Sequence, residues 1–151
     1  MREIKFRGYA TFTKTRKAWI CGLPAYRGNG IYGIQTTERT TIQVDVETIG
    51  QYTGLNDKNG VEIYEGDIVK QCFEFQNSDG YFDGYQLGEV VVIASKGACM
   101  KNPLMYSTDN GDVIKTKQYK NIVSYRSEVI GNIYENPTLI EDMKQGWDYD
   151  C

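Results

Sequence analysis

QYTGLNDKNGVEIYEGDIVK, running from Gln51 to Lys70, decides how the rest of the chain is read. Its centre sets Asn56, Asp57, Asn59 and Gly60 around Lys58, which suits either a calcium loop or the turn of a β-hairpin. An EF-hand loop needs oxygen ligands at positions 1, 3 and 5, Gly at 6 and a bidentate Glu at 12. With Gly60 at position 6, Asp57 and Asn59 fall correctly at 3 and 5, but Leu55 stands at 1 and Gly66 at 12. The flanks also read as strands, so the stretch is a turn. Asn-Gly is the strongest short hairpin signal, because a type I′ turn takes positive φ at both central residues. Gly54, Asn59, Gly60 and Gly66 are accordingly read as residues that set backbone geometry.

Strand patterns extend on both sides. Upstream, Ile42, Val44 and Val46 alternate with Gln43, Asp45 and Glu47, the period of a half-buried antiparallel strand. Ile4–Phe6 and Lys17–Cys21 read as two short strands, and Gly22–Gly33 as a loop. Downstream, Gly66-Asp67 suggests a second tight bend. Beyond it Val69, Phe73 and Phe75 face one side, and Lys70, Cys72 and Glu74 the other. Gln76–Gly84 is a polar loop or hairpin tip, Gly88–Ser95 a central strand, and Ser107–Val113 another turn. Lys115–Arg126 is weakly patterned, and Gly131, inside Glu128–Asn136, marks a bulge or close crossing. A short helix is expected from Asn136 as cap and Pro137, through Leu139, Ile140 and Met143, to a stop at Gly146. Two bends and curved strands suit a small barrel or roll. The expected organisation is an N-terminal β region at 1–50, a barrel or roll with its helix at 51–145 and a tail at 146–151, most simply within one domain.

Composition narrows the chemistry. There is no histidine, which removes a His base, a Ser-His or Cys-His nucleophile and any imidazole ligand. Cys21, Cys72, Cys99 and Cys151 contain no C-x-x-C pair; Cys72 and Cys99 read as small core residues and Cys151 as a tail thiol. Neither metal nor cofactor is expected. The charged start, with Arg2, Glu3, Lys5 and Arg7, is no signal peptide, and no apolar run is long enough to span a membrane, so the expected compartment is the cytoplasm. The net charge of −3 is unevenly placed: +6 over 1–28, −8 over 29–112, +4 over 113–126 and −5 over 127–151.

Three constellations carry possible chemistry. Lys115, Lys117, Tyr119, Lys120, Tyr125 and Arg126 interleave bases with aromatics, as a phosphate-gripping and base-stacking surface does. Lysines on an exposed strand pair also serve simply to discourage edge-to-edge aggregation. Glu62, Glu65 and Asp67 lie close in sequence, with Glu128 or Glu135 as partners across a sheet, for acid–base work without histidine. Tyr9, Trp19, Tyr26, Tyr32 and Tyr52 form either an aromatic ligand face or ordinary packing.

IKFRG (Ile4–Gly8), VDVETIGQYTGLNDKNGVEIYEGDIV (Val44–Val69) and EVIGNIYENPTLI (Glu128–Ile140) together resemble the YopX family of small phage and prophage proteins. AWICG (Ala18–Gly22) resembles the next N-terminal strand, Val46 stands where relatives often carry proline, and the section between Phe73 and Ser127 does not align. The resemblance implies a mostly β protein with an SH3-like barrel or roll in its C-terminal part. It also implies a cytoplasmic setting in an infected or lysogenic bacterium, and transfers no catalytic residue. The leading expectation is a noncatalytic accessory protein that binds a host or phage protein, with loops Gly22–Gly33 and Gln76–Gly88 carrying contacts. Two alternatives stay open: a nucleic-acid-binding module using the basic blocks 1–28 and 113–126, and a carboxylate-based hydrolase. Exposed β edges also permit a homo-oligomer.

Overall fold

The computed structural model describes residues 3–78, 80–107, 113–115 and 118–142. The chain is mainly β, with two antiparallel sheets and one short C-terminal helix. Its contacts divide it into two compact units, Met1–Gly54 and Leu55–Cys151.

In the first unit, β1 (Phe6–Thr11), β2 (Lys17–Tyr26), β3 (Tyr32–Gln35) and β4 (Thr41–Asn56) follow one another as hairpins, with β4 continuing past the division. β4 also returns to β1, pairing Phe6 with Gln51, Arg7 with Gly50 and Tyr9 with Asp45. Ala10, Ile34 and Val44 are buried between these strands, flanked by Phe6, Ile20, Ile42 and Ile49. The expected loop Gly22–Gly33 is mostly strand: β2 runs to Tyr26 and β3 starts at Tyr32. Pro24 fits because β2 has left β1 by then and pairs β3 alone, so its missing N–H costs less.

The second unit contains β5 (Glu62–Tyr64), β6 (Asp67–Asn77), β7 (Gly80–Ile93), β8 (Gly97–Ser107), β9 (Val113–Lys115), β10 (Tyr119–Asn121), β11 (Ser127–Asn132) and α1 (Leu139–Asp142). Its sheet has the order β10-β8-β7-β6-β11, with β9 also on β8. That order leaves β10 and β11 as unjoined edges, so the sheet is not the closed barrel that was one expectation. Gln71 makes the link that a closing ladder would have made. Its Nε2 donates to Asn121 O at 3.1 Å, and its Oε1 accepts from Val123 N at 2.7 Å and from Ser127 Oγ at 3.0 Å. The Gln76–Gly88 stretch is not a free loop, because β6 and β7 stay paired from Ile68–Glu89 out to Asn77–Gly80.

Both faces of this sheet are covered. Ile63, Val69, Val90, Met100 and Ile122 form one cluster. Tyr85, Leu87 and Leu104 form the other, with Cys72, Ile130, Leu139 and Ile140 against it. Lys70 lies buried with its ammonium 5.4 Å from the Tyr85 ring centre. Cys72 is half-buried against the second of these clusters, and Cys99 is fully buried.

The turn at NDKNG differs from the expected type I′. Asp57 N donates to Val61 O at 2.7 Å and Gly60 N to Asp57 O at 3.0 Å; Gly60 has φ 83°, but Asn59 is not among the positive-φ residues. This is a three-residue loop, a type I turn closed by one left-handed residue. Asp57 selects it. Its Oδ1 accepts from Asn59 N (2.8 Å) and Val61 N (2.9 Å), which holds the turn N–H groups inward. Its Oδ2 accepts from Val129 N of β11 at 3.0 Å. The same backbone bonds recur at Thr36–Thr40, where Arg39 takes the left-handed place with φ 61°.

β11 carries a bulge between Val129 and Gly131. A Cβ on Gly131 would stand 2.6 Å from Asn136 Oδ1 and 2.8 Å from Leu139 Cδ2, so the chain after β11 packs directly on bare backbone. Asn132 Oδ1 accepts from Tyr134 N and Glu135 N and folds that return. Asn136 does not cap forward as expected: its Oδ1 accepts from Asn132 N at 3.3 Å. The helix is described over Leu139–Asp142, and its expected continuation to Gly146 lies outside the described residues.

Three measurements check this account. In urea unfolding, Gly60→Val should lose about 1–2 kcal/mol for the left-handed strain alone, and Arg39→Gly should gain up to about 1 kcal/mol. Asp57→Ala should lose about 3 kcal/mol, since buried N–H groups are orphaned. Lys58→Ala, which breaks only an exposed 3.5 Å pair with Glu128, should lose under about 1 kcal/mol. The third concerns Cys99, whose thiol is pushed up by burial and drawn partly back by the Lys96 charge. A thiol that ionises later when folded gives stability that is intact below the unfolded thiol's pKa of about 8.5 and is lost as pH rises above it. The alkaline fall in unfolding midpoint should therefore be shallower in Cys99→Ala, and thiol reagents should label exposed Cys21 well before Cys99.

Candidate functional site

The first unit opens where its strands part company. β4 pairs β3 through Thr41–Val44 and then β1 from Asp45 onward. β1 beyond Tyr9 keeps β2 as its sheet neighbour and has left β4. The end of β1 and the start of β4 thus form two sides of a wedge, each bordered by a strand on its far side only. Opposite Gly8, β4 bulges over Val46–Ile49. Thr48 fills the interrupted ladder: its hydroxyl accepts from Tyr9 N at 2.8 Å and donates to Asp45 O at 2.6 Å.

The wedge is a cleft of about 580 Å³ lined by Tyr9, Phe12, Ile31, Tyr32, Ile42 and Val46 among others. Phe12 is 46% exposed, Ile31 39% and Val46 45%, which is unusual for apolar side chains gathered in one concavity. The aromatic wall is braced from behind. Trp19 packs on Tyr9 with ring centres 4.9 Å apart, and Arg7 Cζ lies 4.1 Å from the Trp19 ring centre. Tyr26 packs on Tyr32 at 5.0 Å, and Arg16 Cζ lies 5.1 Å from the Phe12 ring centre. Of the aromatic face expected from sequence, Tyr9 and Tyr32 therefore line the cleft and Trp19 and Tyr26 support it. Tyr52 is buried, with Lys5 Nζ 4.8 Å from its ring centre. Phe12, Ile31 and Val46 were not singled out from sequence, because the wedge depends on pairing register and not on local pattern.

The basic-aromatic segment is dispersed. Lys115 ends β9 opposite Leu104, while Tyr119 stands opposite Lys101, about 10 Å further along β8. Lys117 lies outside the described residues. Arg126 ends a short 3-10 turn at Ser124–Arg126, its Cζ 5.4 Å from the ring centre of exposed Tyr125. Tyr119 and Lys120 line a second cleft of about 480 Å³ together with Asn121 and Lys96. Lys96, from the turn between β7 and β8, was missed because β8 itself was not read. The two basic blocks, 1–28 and 113–126, belong to different units.

The acids considered for a hydrolase have structural partners. Asp67 is buried and its Oδ2 accepts from Tyr64 N at 2.8 Å. Glu128 pairs Lys58, and Glu135 Oε1 accepts from Asn132 Nδ2 at 2.9 Å. Glu62 and Glu65 are half-buried at the bend before β6. Among the described residues no group of three or more Cys, Asp or Glu gathers as a metal site. No described helix is long and apolar enough to cross a membrane.

Gly54, Asn59, Gly60 and Gly66 fall at distinct places in the backbone. Gly54 bends β4 with φ 83°, Asn59 and Gly60 form the NDKNG turn, and Gly66, with φ 88°, joins β5 to β6. Gly66 N donates to Val90 O, and Gly66 O accepts from Ile133 N. The long middle motif and the C-terminal motif are therefore bonded to each other at Asp57–Val129 and at Gly66–Ile133. No curated protein matches the chain. The family model described as YopX protein matches residues 5–141, which takes in both of those contacts. On that match across nearly its whole length, the chain belongs to the YopX family of phage and prophage proteins.

Proposed function

We propose that this protein is a noncatalytic binding module that receives an acidic, extended segment of a host or phage protein in the wedge between β1 and β4. The observation that carries the reading is the coincidence of two features at one place: strand edges bordered on one side only, and an exposed apolar lining of Phe12, Ile31 and Val46. An extended peptide satisfies both, by adding backbone hydrogen bonds along an edge and side chains in the cleft. The cleft lining itself has Asp45 as its one charged residue, and the charge of the surrounding unit favours an acidic segment. The first unit holds eight Lys/Arg against four Asp/Glu, and Lys14, Arg16 and Lys17 follow directly on the β1 end of the wedge. The module acts in the bacterial cytoplasm on this reading, in keeping with the family's phage origin.

The test begins with capture from nuclease-treated host lysate by the wild type and by Val46→Glu, a change at an exposed bulge residue. A synthetic peptide from an acidic segment of the captured protein is then titrated while hydrogen exchange is followed. Peptide binding that slows exchange in 9–12 and 42–46, and that weakens at least tenfold in Val46→Glu, supports the reading. Equal binding by both proteins, or protection elsewhere, overturns it. A wild-type dimer that Val46→Glu dissociates would show that a second copy of this chain fills the wedge, and would overturn it as well.

A further inference from the structure

The cleft on the second unit is built differently from the wedge, and its chemistry is cationic and aromatic at once. Tyr119 stands at the start of edge strand β10 and is 42% exposed, and Lys96 Nζ lies 5.5 Å from its ring centre. Lys120 and Asn121 complete the lining. We propose that Lys96, Tyr119 and Lys120 form a binding site for a base joined to a phosphate, taken either from a free nucleotide or from a single strand of nucleic acid.

Each part of that ligand has a matching group. A nucleobase stacks on an exposed tyrosine face, an interaction tolerant of sequence because every base has a π-face. The phosphate is drawn by the Lys96 ammonium at the ring, with Lys120, which leaves the other face of edge strand β10, adding positive charge across the edge; among the described residues no carboxylate lies within ion-pair distance of either. Lys96 already rests against the ring and exchanges that contact for a phosphate oxygen without leaving the cleft. Lys101, opposite Tyr119, is not counted in the site because Glu89 is its other cross-strand neighbour.

Edge-strand lysines that merely discourage aggregation would account for Lys120. They do not account for Lys96, which comes from the β7–β8 turn, held by Lys96 N to Ile93 O at 3.1 Å, and is brought over Tyr119 by the β8–β10 register. The residues lie wholly in the second unit, so the inference stands apart from the wedge.

The test uses the full chain, a fluorescein-labelled oligothymidylate followed by anisotropy, and ADP followed by calorimetry. Tyr119→Ala should weaken oligonucleotide binding about tenfold, the loss of one stacked base. Tyr119→Phe should stay within about twofold, since stacking needs the ring and not the hydroxyl. Lys96→Glu combined with Lys120→Glu should abolish binding, and wild-type affinity should fall steeply with salt. ADP bound as tightly as the oligonucleotide identifies a free nucleotide as the source; much weaker ADP binding identifies a strand. Tripolyphosphate that competes as well as ADP would show that no base is read and would overturn the proposal. So would an unchanged affinity in Tyr119→Ala, or no binding of either probe at low salt. The Val46→Glu wedge variant should bind both probes normally, so failure at one site is not mistaken for failure at the other.

Discussion

One carboxylate organises the second unit. Asp57 is 6% exposed and gives both oxygens to main-chain N–H groups, two within its own turn and one on β11. Charge-assisted bonds of this kind are roughly twice as strong as neutral ones, and a buried acceptor with all its donors in place avoids the penalty of an unsatisfied group. The turn type, the docking of β11 and the approach of Lys58 N to Ser127 O at 2.9 Å follow from that placement. The oxygen-rich look of NDKNG has the same origin. Its most ligand-like side chain already has ligands, and they are amide protons.

Gln71 on β6 is the neutral counterpart and meets the same segment, since Ser127 bonds Gln71 through its hydroxyl and Lys58 N through its carbonyl. Its side-chain amide presents donor and acceptor together, and it bonds the end of β10 at Asn121, the connection at Val123 and the start of β11 at Ser127. The unit therefore holds its two edge strands to a common segment without running a ladder between them. An open sheet tied by side chains tolerates insertions between strands better than a closed barrel, whose strand number, tilt and stagger are linked.

Much of the fold was legible in the sequence where local chemistry alone decided the outcome. The hairpin at Asp57–Gly60, the alternation of Ile42 with Val44 and the bare backbone at Gly131 all rest on neighbours within a few residues. Val46 marks the limit of that logic. It belongs to the same alternation but is exposed, because the bulge opposite Gly8 interrupts the pleat. β8 was not read from the sequence; it carries Asn102-Pro103, which the strand absorbs as a bulge against Gly88, with Asn102 at φ 45°. The loss of β8 hid Lys96, and with it the contact of that lysine with the Tyr119 ring. The wedge was illegible for a deeper reason: it is a property of where two pairings stop.

The positions of the closing contacts also set the order in which the two units are completed as the chain is made. β1 finds its return partner by Gln51, and the first unit's other pairs are successive hairpins, so its contacts are all available once the chain reaches Gly54. The second unit waits much longer. The bond from Val129 to Asp57 spans 72 residues and that from Val123 to Gln71 spans 52. Such distant closures are costly in entropy and come late. During synthesis the basic unit is complete while the acidic one is still an open sheet, with the Asp57 carboxylate and the Gln71 amide in water until β11 arrives.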